Sequence, residues 1–344
     1  MNFLGNHLLS VDQLTRDDIA EVTQVARRLT PVARREKTTR VLEGAVLASL
    51  FLEASTRTRL SFGTAFSRLG GSVHETVGLT FSSMAKGESI ADTARVISGY
   101  ADIMTVRHPE AGSVAQFAHA SLVPVINAGD GAAEHPTQAL LDIYTIEEEF
   151  AARDKEIDGA HVLFVGDLKY GRTVHSLMKL LSLFDNLTFT LLAPELLGMP
   201  DSIVEFAENH GHKVICYHRL PRELDTVDVI YTTRIQRERL QGEQIEGYSE
   251  DFHVNRKLVE RIGGANTVIM HPLPRDATLG SNDLSTDLDT DPRLAIFRQT
   301  DRGIPIRMAL FSLILGVADS IESTFQDARW YRPPNRGIRS STAD

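Results

Sequence analysis

The sequence predicts an α/β protein of two doubly wound domains with mostly parallel sheets. Three observations carry that expectation. Short apolar runs of strand length alternate with segments of helical period. The alternation restarts after a polar stretch, AARDKEIDG at 151–159. The chain has 344 residues, more than one core usually organises at roughly 150 residues per domain.

Taken in order, Asp17 or Asp18 is placed to cap a first helix with Ile19, Val22, Ala26 and Leu29 inward. Strands are expected at 45–51, 72–77, 102–106 and 123–126. Helices are expected at 58–69, stopped by Gly70-Gly71, and at 89–100, where Ile90, Ala94 and Ile97 share a side. A long helix, 136–150, starts on Pro136 and ends in Glu147-Glu148-Glu149, read as a solvated face. This closes a first domain, 1–150. In the second, 151–303, strands are expected at 161–165, 187–192, 213–217, 227–231 and 267–270, with helices at 173–184, 202–210 and 255–262. A final helix in 304–325 is apolar on several sides (Leu310, Phe311, Leu313, Ile314, Val317, Ile321) and is expected to complete the first domain. The tail 326–344, with Pro333-Pro334, reads as extended or disordered.

The bulk numbers narrow the function. Net charge is −10, which disfavours general attraction to nucleic acid or anionic membrane. An anion site must therefore be a local concentration of Arg and Lys. The single cysteine, Cys216, excludes an internal disulfide, and its KVICYH flanks read as a buried strand with a structural thiol. No metal-ligand spacing such as H-E-x-x-H occurs among the twelve histidines, so no metal is expected. There is no signal-peptide pattern and no apolar run of membrane-spanning length, so a cytoplasmic protein is expected.

The polar motifs fall after strands, where open α/β sheets bind ligands. Ser55-Thr56-Arg57-Thr58 follows the first strand, and Arg107-His108-Pro109 follows another. NAGDGAAEHPTQ delivers His135 and Gln138, GDLKYGRT delivers Lys169 and Arg172, TTRIQRERL delivers Arg234 and Gln236, and HPLPR delivers His271 and Arg275. At a helix N-terminus, unpaired amides and about half a positive charge already favour an anion. Three hydroxyls and a guanidinium added there suit a phosphate, whereas a simple N-cap needs one hydroxyl. FSSMAKGES, 81–89, adds Ser82, Ser83 and Lys86 in a glycine-containing loop. Arg172 and Arg234 suit carboxylates. G-x-G-x-x-G, the Walker pattern and G-x-S-x-G are absent.

Taken together, STRTR with a following SF, RHP, HPTQALLD, GDLKYGRTVHSL, TRIQRERL and HPLPR resemble the aspartate/ornithine carbamoyltransferase family over about 7–325. GDLKYGR and HPLPR resemble its aspartate branch, since ornithine relatives carry cysteine where Pro272 stands. The resemblance implies carbamoyl transfer from carbamoyl phosphate to L-aspartate, the committed step of pyrimidine biosynthesis, with no cofactor. It implies a carbamoyl-phosphate-binding first domain, an aspartate-binding second domain and an active site in the cleft between them. Ser55, Thr56, Arg57 and Thr58 resemble the phosphate site, and Arg107, His135 and Gln138 the group at the carbamoyl end. Ser82 and Lys86 resemble a loop lent by a neighbouring subunit, implying a homotrimer with shared sites. Arg172, Arg234 and Gln236, with Lys86, resemble the aspartate-binding set. The backbone of Leu273 and Pro274 resembles a segment that meets both substrates. Asp167 reads as structural. Relatives also associate with regulatory chains or dihydroorotase-like proteins. One departure is Ala54, where relatives commonly have proline; the other is the long tail.

Overall fold

The computed structural model describes residues 1–78, 83–236, 250–276 and 282–330. Contacts divide the chain into two compact units, Met1–Thr137 with the chain from Thr300 on, and Gln138–Gln299. Composition places the division in the polar stretch at 151–159; contacts place it at the start of the preceding long helix.

The first unit opens with α1 (Arg16–Ala33). Its cap is Thr15, not Asp17 or Asp18: the Thr15 hydroxyl accepts the Asp18 N–H, and Asp18 returns a carboxylate to the Thr15 N–H at 2.7 Å. The acids belong to the first turn, where they favour the helix dipole. Then follow β1 (Lys37–Thr38), β2 (Val46–Phe51), α2 (Thr56–Arg68), β3 (Ser72–Val77), α3 (Ile90–Ser98), β4 (Ile103–His108), α4 (Ser113–Ala120) and β5 (Val125–Asp130). The long helix α5 (Pro136–Ala151) starts at the end of this unit and belongs from Gln138 on to the second. The sheet order is β3-β2-β4-β5, all parallel. Its core includes Leu50, Met104, Val106, Val114 and Phe117. The edge strand β3 is largely exposed, unlike the buried strands beside it. Sequence periodicity did not single out α4. Gly112 at its N-cap supplies no side chain, and Asp130 at the end of β5 accepts from the Gly112 N–H at 2.9 Å instead. Next to it, a Cβ on Gly131 would lie 2.5 Å from the Ala111 nitrogen, so only glycine fits there.

The second unit holds β6 (His161–Gly166), α6 (Arg172–Leu181), β7 (Thr188–Leu192), α7 (Asp201–Asn209), β8 (Lys213–Tyr217), β9 (Val227–Thr233), α8 (Arg256–Ile262) and β10 (Gly263–Met270). The order is β10-β9-β6-β7-β8, again parallel. Two expectations change. Cys216 lies exposed on the edge strand β8, not in a buried strand. Partial desolvation and the Glu208 and Asp201 carboxylates push its thiol up, away from the thiolate form that a nucleophile uses. Glu149 is buried rather than solvated: Arg298 donates to both its oxygens, at 2.7 and 2.8 Å.

The last helix, α9 (Ile296–Ile314), begins earlier than 304 and ends earlier than 325. Pro305 sits inside it. Beyond Ile314 the chain makes two short 3-10 turns, Ala318–Ser320 and Glu322–Thr324. Phe311 packs edge-on against Phe62 and Phe66, with ring centroids 6.0 and 4.9 Å away. Gln326–Asp327 forms β11, antiparallel to β1.

Candidate active site

In the first unit, strands are added on one side of β2 and then on the other, so the switch point lies between β2 and β4. The carboxyl ends flanking it are Phe51 and Arg107, which are register partners. Ser55 stands at the N-cap of α2, extended at φ −162°, yet its hydroxyl takes no capping bond and the first turn contains no acid. The N-cap reading alone therefore does not account for it. Ser55 and Thr58 are half-buried, while Thr56 and Arg57 are exposed. The two guanidiniums of STRTR divide. Arg59 pairs with Glu75 on β3 at 2.8 Å, whereas Arg57 stays in the first turn.

Arg107, buried at the end of β4, places Nη2 2.7 Å from Glu53 Oε2 and donates from Nη1 to the Ala128 carbonyl at 3.3 Å. Glu53, the acid that ends the apolar run after β2, is thereby joined to the candidate site, a part the motifs do not assign it. His135 is buried immediately before α5. Its neighbour Glu134 pins that turn by accepting from the Ser10 hydroxyl and the Val11 N–H, each at 2.8 Å. Lys86 is exposed at the end of a short 3-10 turn, Ser83–Lys86. Ser82 lies outside the described residues.

In the second unit the switch point lies between β6 and β9, where Gly166 pairs with Thr233. Asp167, fully buried, ties the two following loops together. Its carboxylate accepts the Tyr170 N–H at 2.9 Å and the Gln236 N–H at 3.0 Å. Gln236 also donates through Nε2 to the Tyr170 carbonyl at 2.7 Å. A Cβ on Gly171 would come 2.5 Å from the Asp167 carbonyl oxygen, which explains the second glycine of GDLKYGR. Arg172 is buried in the first turn of α6, again with no acid and no side-chain cap. Arg234 is half-buried just past β9 and donates to the Ile235 carbonyl at 3.2 Å. One strand-end loop thus carries Arg172, and the adjacent one carries Arg234 and Gln236. Two guanidiniums in that place suit a dicarboxylate.

Gln138, in the first turn of α5, donates through Nε2 to Asp142 Oδ1 at 2.9 Å. Leu273, before Pro274, holds φ at +58°, a left-handed conformation that a branched residue adopts only where its surroundings impose it. His271 imposes it from within: Nδ1 accepts the Leu273 N–H at 2.7 Å. His271 is itself buried against Asp283, and Arg275 pairs with Asp289 at 2.6 Å. Both side chains that HPLPR delivers are thus paired with acids within the fold, and neither belongs to the set that the resemblance implies. No group of three or more His, Cys, Asp or Glu side chains among the described residues could hold a metal ion, and no helix among them is long and apolar enough to cross a membrane.

Comparison with known proteins finds family models matching both halves of the chain. Residues 6–148 match the carbamoyl-phosphate-binding domain model of aspartate/ornithine carbamoyltransferases, and residues 158–314 match the Asp/Orn-binding domain model. The aspartate carbamoyltransferase catalytic subunit of Dichelobacter nodosus is 55% identical, covering 98% of this chain and 97% of that protein. That of Methanocaldococcus jannaschii is 43% identical over 90% of this chain and 97% of its own length. The crystal structure of Trypanosoma cruzi aspartate transcarbamoylase with aspartate and phosphate superposes with a TM-score of 0.81 at 36% identity, covering 91% of this chain and 96% of that one.

Proposed function

The chain belongs to the aspartate/ornithine carbamoyltransferase family, and from that premise we infer its reaction and the work of each residue. It is an enzyme that transfers the carbamoyl group of carbamoyl phosphate to the amine of L-aspartate. The products are N-carbamoyl-L-aspartate and phosphate, and the step belongs to pyrimidine biosynthesis. The observation that carries the aspartate assignment is Arg172 and Arg234 at the carboxyl ends of adjacent strands in the unit matched by the Asp/Orn-binding model. Pro272, where ornithine relatives carry cysteine, supports the same choice.

The neutral amine attacks the carbamoyl carbon, the C–O bond to phosphate breaks, and the amine proton leaves with phosphate or to solvent. Charge develops on the carbonyl oxygen and on the leaving phosphate, so prearranged donors at those two points are the main catalytic requirement. Thr58, Arg107 and His135 serve the oxygen. Ser55, Thr56, Arg57, Ser82 and Lys86 serve the phosphate. Gln138 and the backbone of Leu273 and Pro274 take the rest of the carbamoyl group. Arg172, Arg234, Gln236 and Lys86 hold aspartate; orienting two reactants can supply up to ~7–11 kcal/mol. No covalent intermediate, metal or cofactor is needed.

The same reading makes the assembly a cytoplasmic homotrimer in which Ser82 and Lys86 serve a neighbouring site. A regulatory chain or a dihydroorotase-like protein is a candidate partner, while nucleic acid and membrane are not. The exposure of Lys86 and of apolar Leu60, Val77 and Val96 on the first unit supports self-association. The test offers carbamoyl phosphate with aspartate or with ornithine and follows product mass and phosphate release. Carbamoyl-aspartate is expected to form with at least a hundredfold higher kcat/KM. Comparable turnover of ornithine would overturn the aspartate assignment.

A further inference from the structure

A buried chain of hydrogen bonds in the second unit connects two residues of the proposed carbamoyl site and uses side chains that the mechanism leaves idle. Its hub is Asp142, which is wholly buried on α5. Gln138 Nε2 donates to Oδ1 at 2.9 Å, Gln299 Nε2 donates to the same oxygen at 2.6 Å, and Tyr231 Oη donates to Oδ2 at 2.7 Å. Gln299 then accepts through Oε1 from the His271 N–H at 3.0 Å. His271 Nδ1 accepts the Leu273 N–H at 2.7 Å, so the ring proton lies on Nε2, which donates to Asp283 Oδ2 at 2.7 Å. Asp283 is completed by the Asp276 and Leu284 N–H groups at 3.0 and 2.9 Å.

Chemistry fixes each orientation along this chain. A carboxylate only accepts, so both amides must turn their NH2 toward Asp142. Gln138 is thereby held with its carbonyl oxygen as the end left to offer a ligand. Leu273 gives its N–H to His271 and likewise has its carbonyl left to offer. Burial, and next the Asp142 charge, push the Tyr231 hydroxyl well up, so it stays a donor to the hub.

We propose that Asp142, Gln299 and His271 form a positioning relay that presents Gln138 and Leu273 as paired acceptors for the carbamoyl NH2. This selects carbamoyl phosphate over the methyl isostere, acetyl phosphate. The proposal rests on the reading of Gln138 and Leu273 as carbamoyl-site residues. An acceptor pair loses its partner when the ligand offers CH3, and a buried polar group left unpaired is what gives such a site its discrimination. If Gln138 could turn over, it would present NH2 to NH2 and the preference would weaken.

The test compares Asp142→Asn and Gln299→Met with wild type, using the KM for carbamoyl phosphate and the inhibition constant of acetyl phosphate. For either variant the carbamoyl phosphate KM should rise about tenfold, with the acetyl phosphate constant and the aspartate KM within about twofold. The discrimination ratio then falls about tenfold. A merely structural role would lower the melting temperature and weaken both ligands together, leaving the ratio unchanged, and that result overturns the relay. If one variant fails to fold, the other decides. Gln138→Ala separates the two levels. If its ratio also stays at the wild-type value, the carbamoyl-site reading is wrong. If it collapses the ratio while the relay variants do not, that reading stands and the relay alone falls.

Discussion

α1 and α3 begin in one way, and α2 and α6 in the opposite way. Thr15 and Ser89 each cap their helix through a hydroxyl, and Asp17, Asp18 and Asp92 fill the first turns. Acids there complement the positive end of the helix dipole. Ser55 and Gly171, at the corresponding positions of α2 and α6, provide no capping bond. Their first turns hold no acid and instead place Arg57 and Arg172 against the dipole, at a cost of about 0.3–1 kcal/mol each. The first pair of helix starts serves stability. The second pair stands at the two switch points and breaks that local stability rule, as helix starts proposed to receive an anion would.

Inverting α2 should break the comparison with the largest effect. Thr56→Asp converts its start to the style of α1. The acid should stabilise the helix start by about 0.3–1 kcal/mol, while its charge repels phosphate. Turnover should fall by at least the ~10²–10³-fold expected for losing one transition-state donor. Arg57→Ala should show the same loss without a lower melting temperature. Assays of kcat beside thermal melts of both variants check this. Near-wild-type kcat in Arg57→Ala would mean that α2 begins this way for a reason other than phosphate.

Much of this contrast was legible in the sequence, because both the unusual cluster and the strand before it are local features. Three residues separate the run VLASLF from the hydroxyls and arginines, and alternation alone implies that such ends share one edge of a parallel sheet. What escaped the reading is what other segments supply. α4 lacks a cap of its own and borrows Asp130. Glu149 looks like part of a solvated acidic run until Arg298, far along the chain, covers it. Cys216 sits in an apolar run, but β8 turns out to be an edge. STRTR cannot reveal that Arg59 turns to Glu75. Asp142 did leave a trace: an acid inside QALLDIYTI is out of place on an apolar helix, and such an acid is buried only with donors around it.

A middle-sized effect sharpens the other side of the comparison. Thr15→Ala removes the cap of α1 and should cost about 1 kcal/mol, seen as a melting temperature lower by about 2–4 °C. kcat and both KM values should stay at wild type. A loss of activity without a loss of stability would show that α1 is not purely structural and would erase the distinction.

The smallest expected effect concerns how α6 is held without a cap. His175, one turn into the helix, donates from Nε2 to the Leu168 carbonyl at 2.7 Å and so secures the loop leading to Arg172. Burial lowers its pKa below the ordinary 6.5, with the Leu168 bond opposing and Lys179 assisting. The folded chain therefore resists protonation that the unfolded chain accepts below that value. The stability contributed by neutral His175 is complete above pH 6.5 and is progressively lost as pH falls beneath it. His7 and His161 are lowered chiefly by burial and act in the same direction. Between pH 7.5 and 5.5, His175→Gln should show a shallower fall in melting temperature than wild type, by on the order of 1 °C, because glutamine can donate the same bond without titrating. Equal slopes in the two proteins would place the acid sensitivity elsewhere, and α6 would then need no such anchor to carry Arg172.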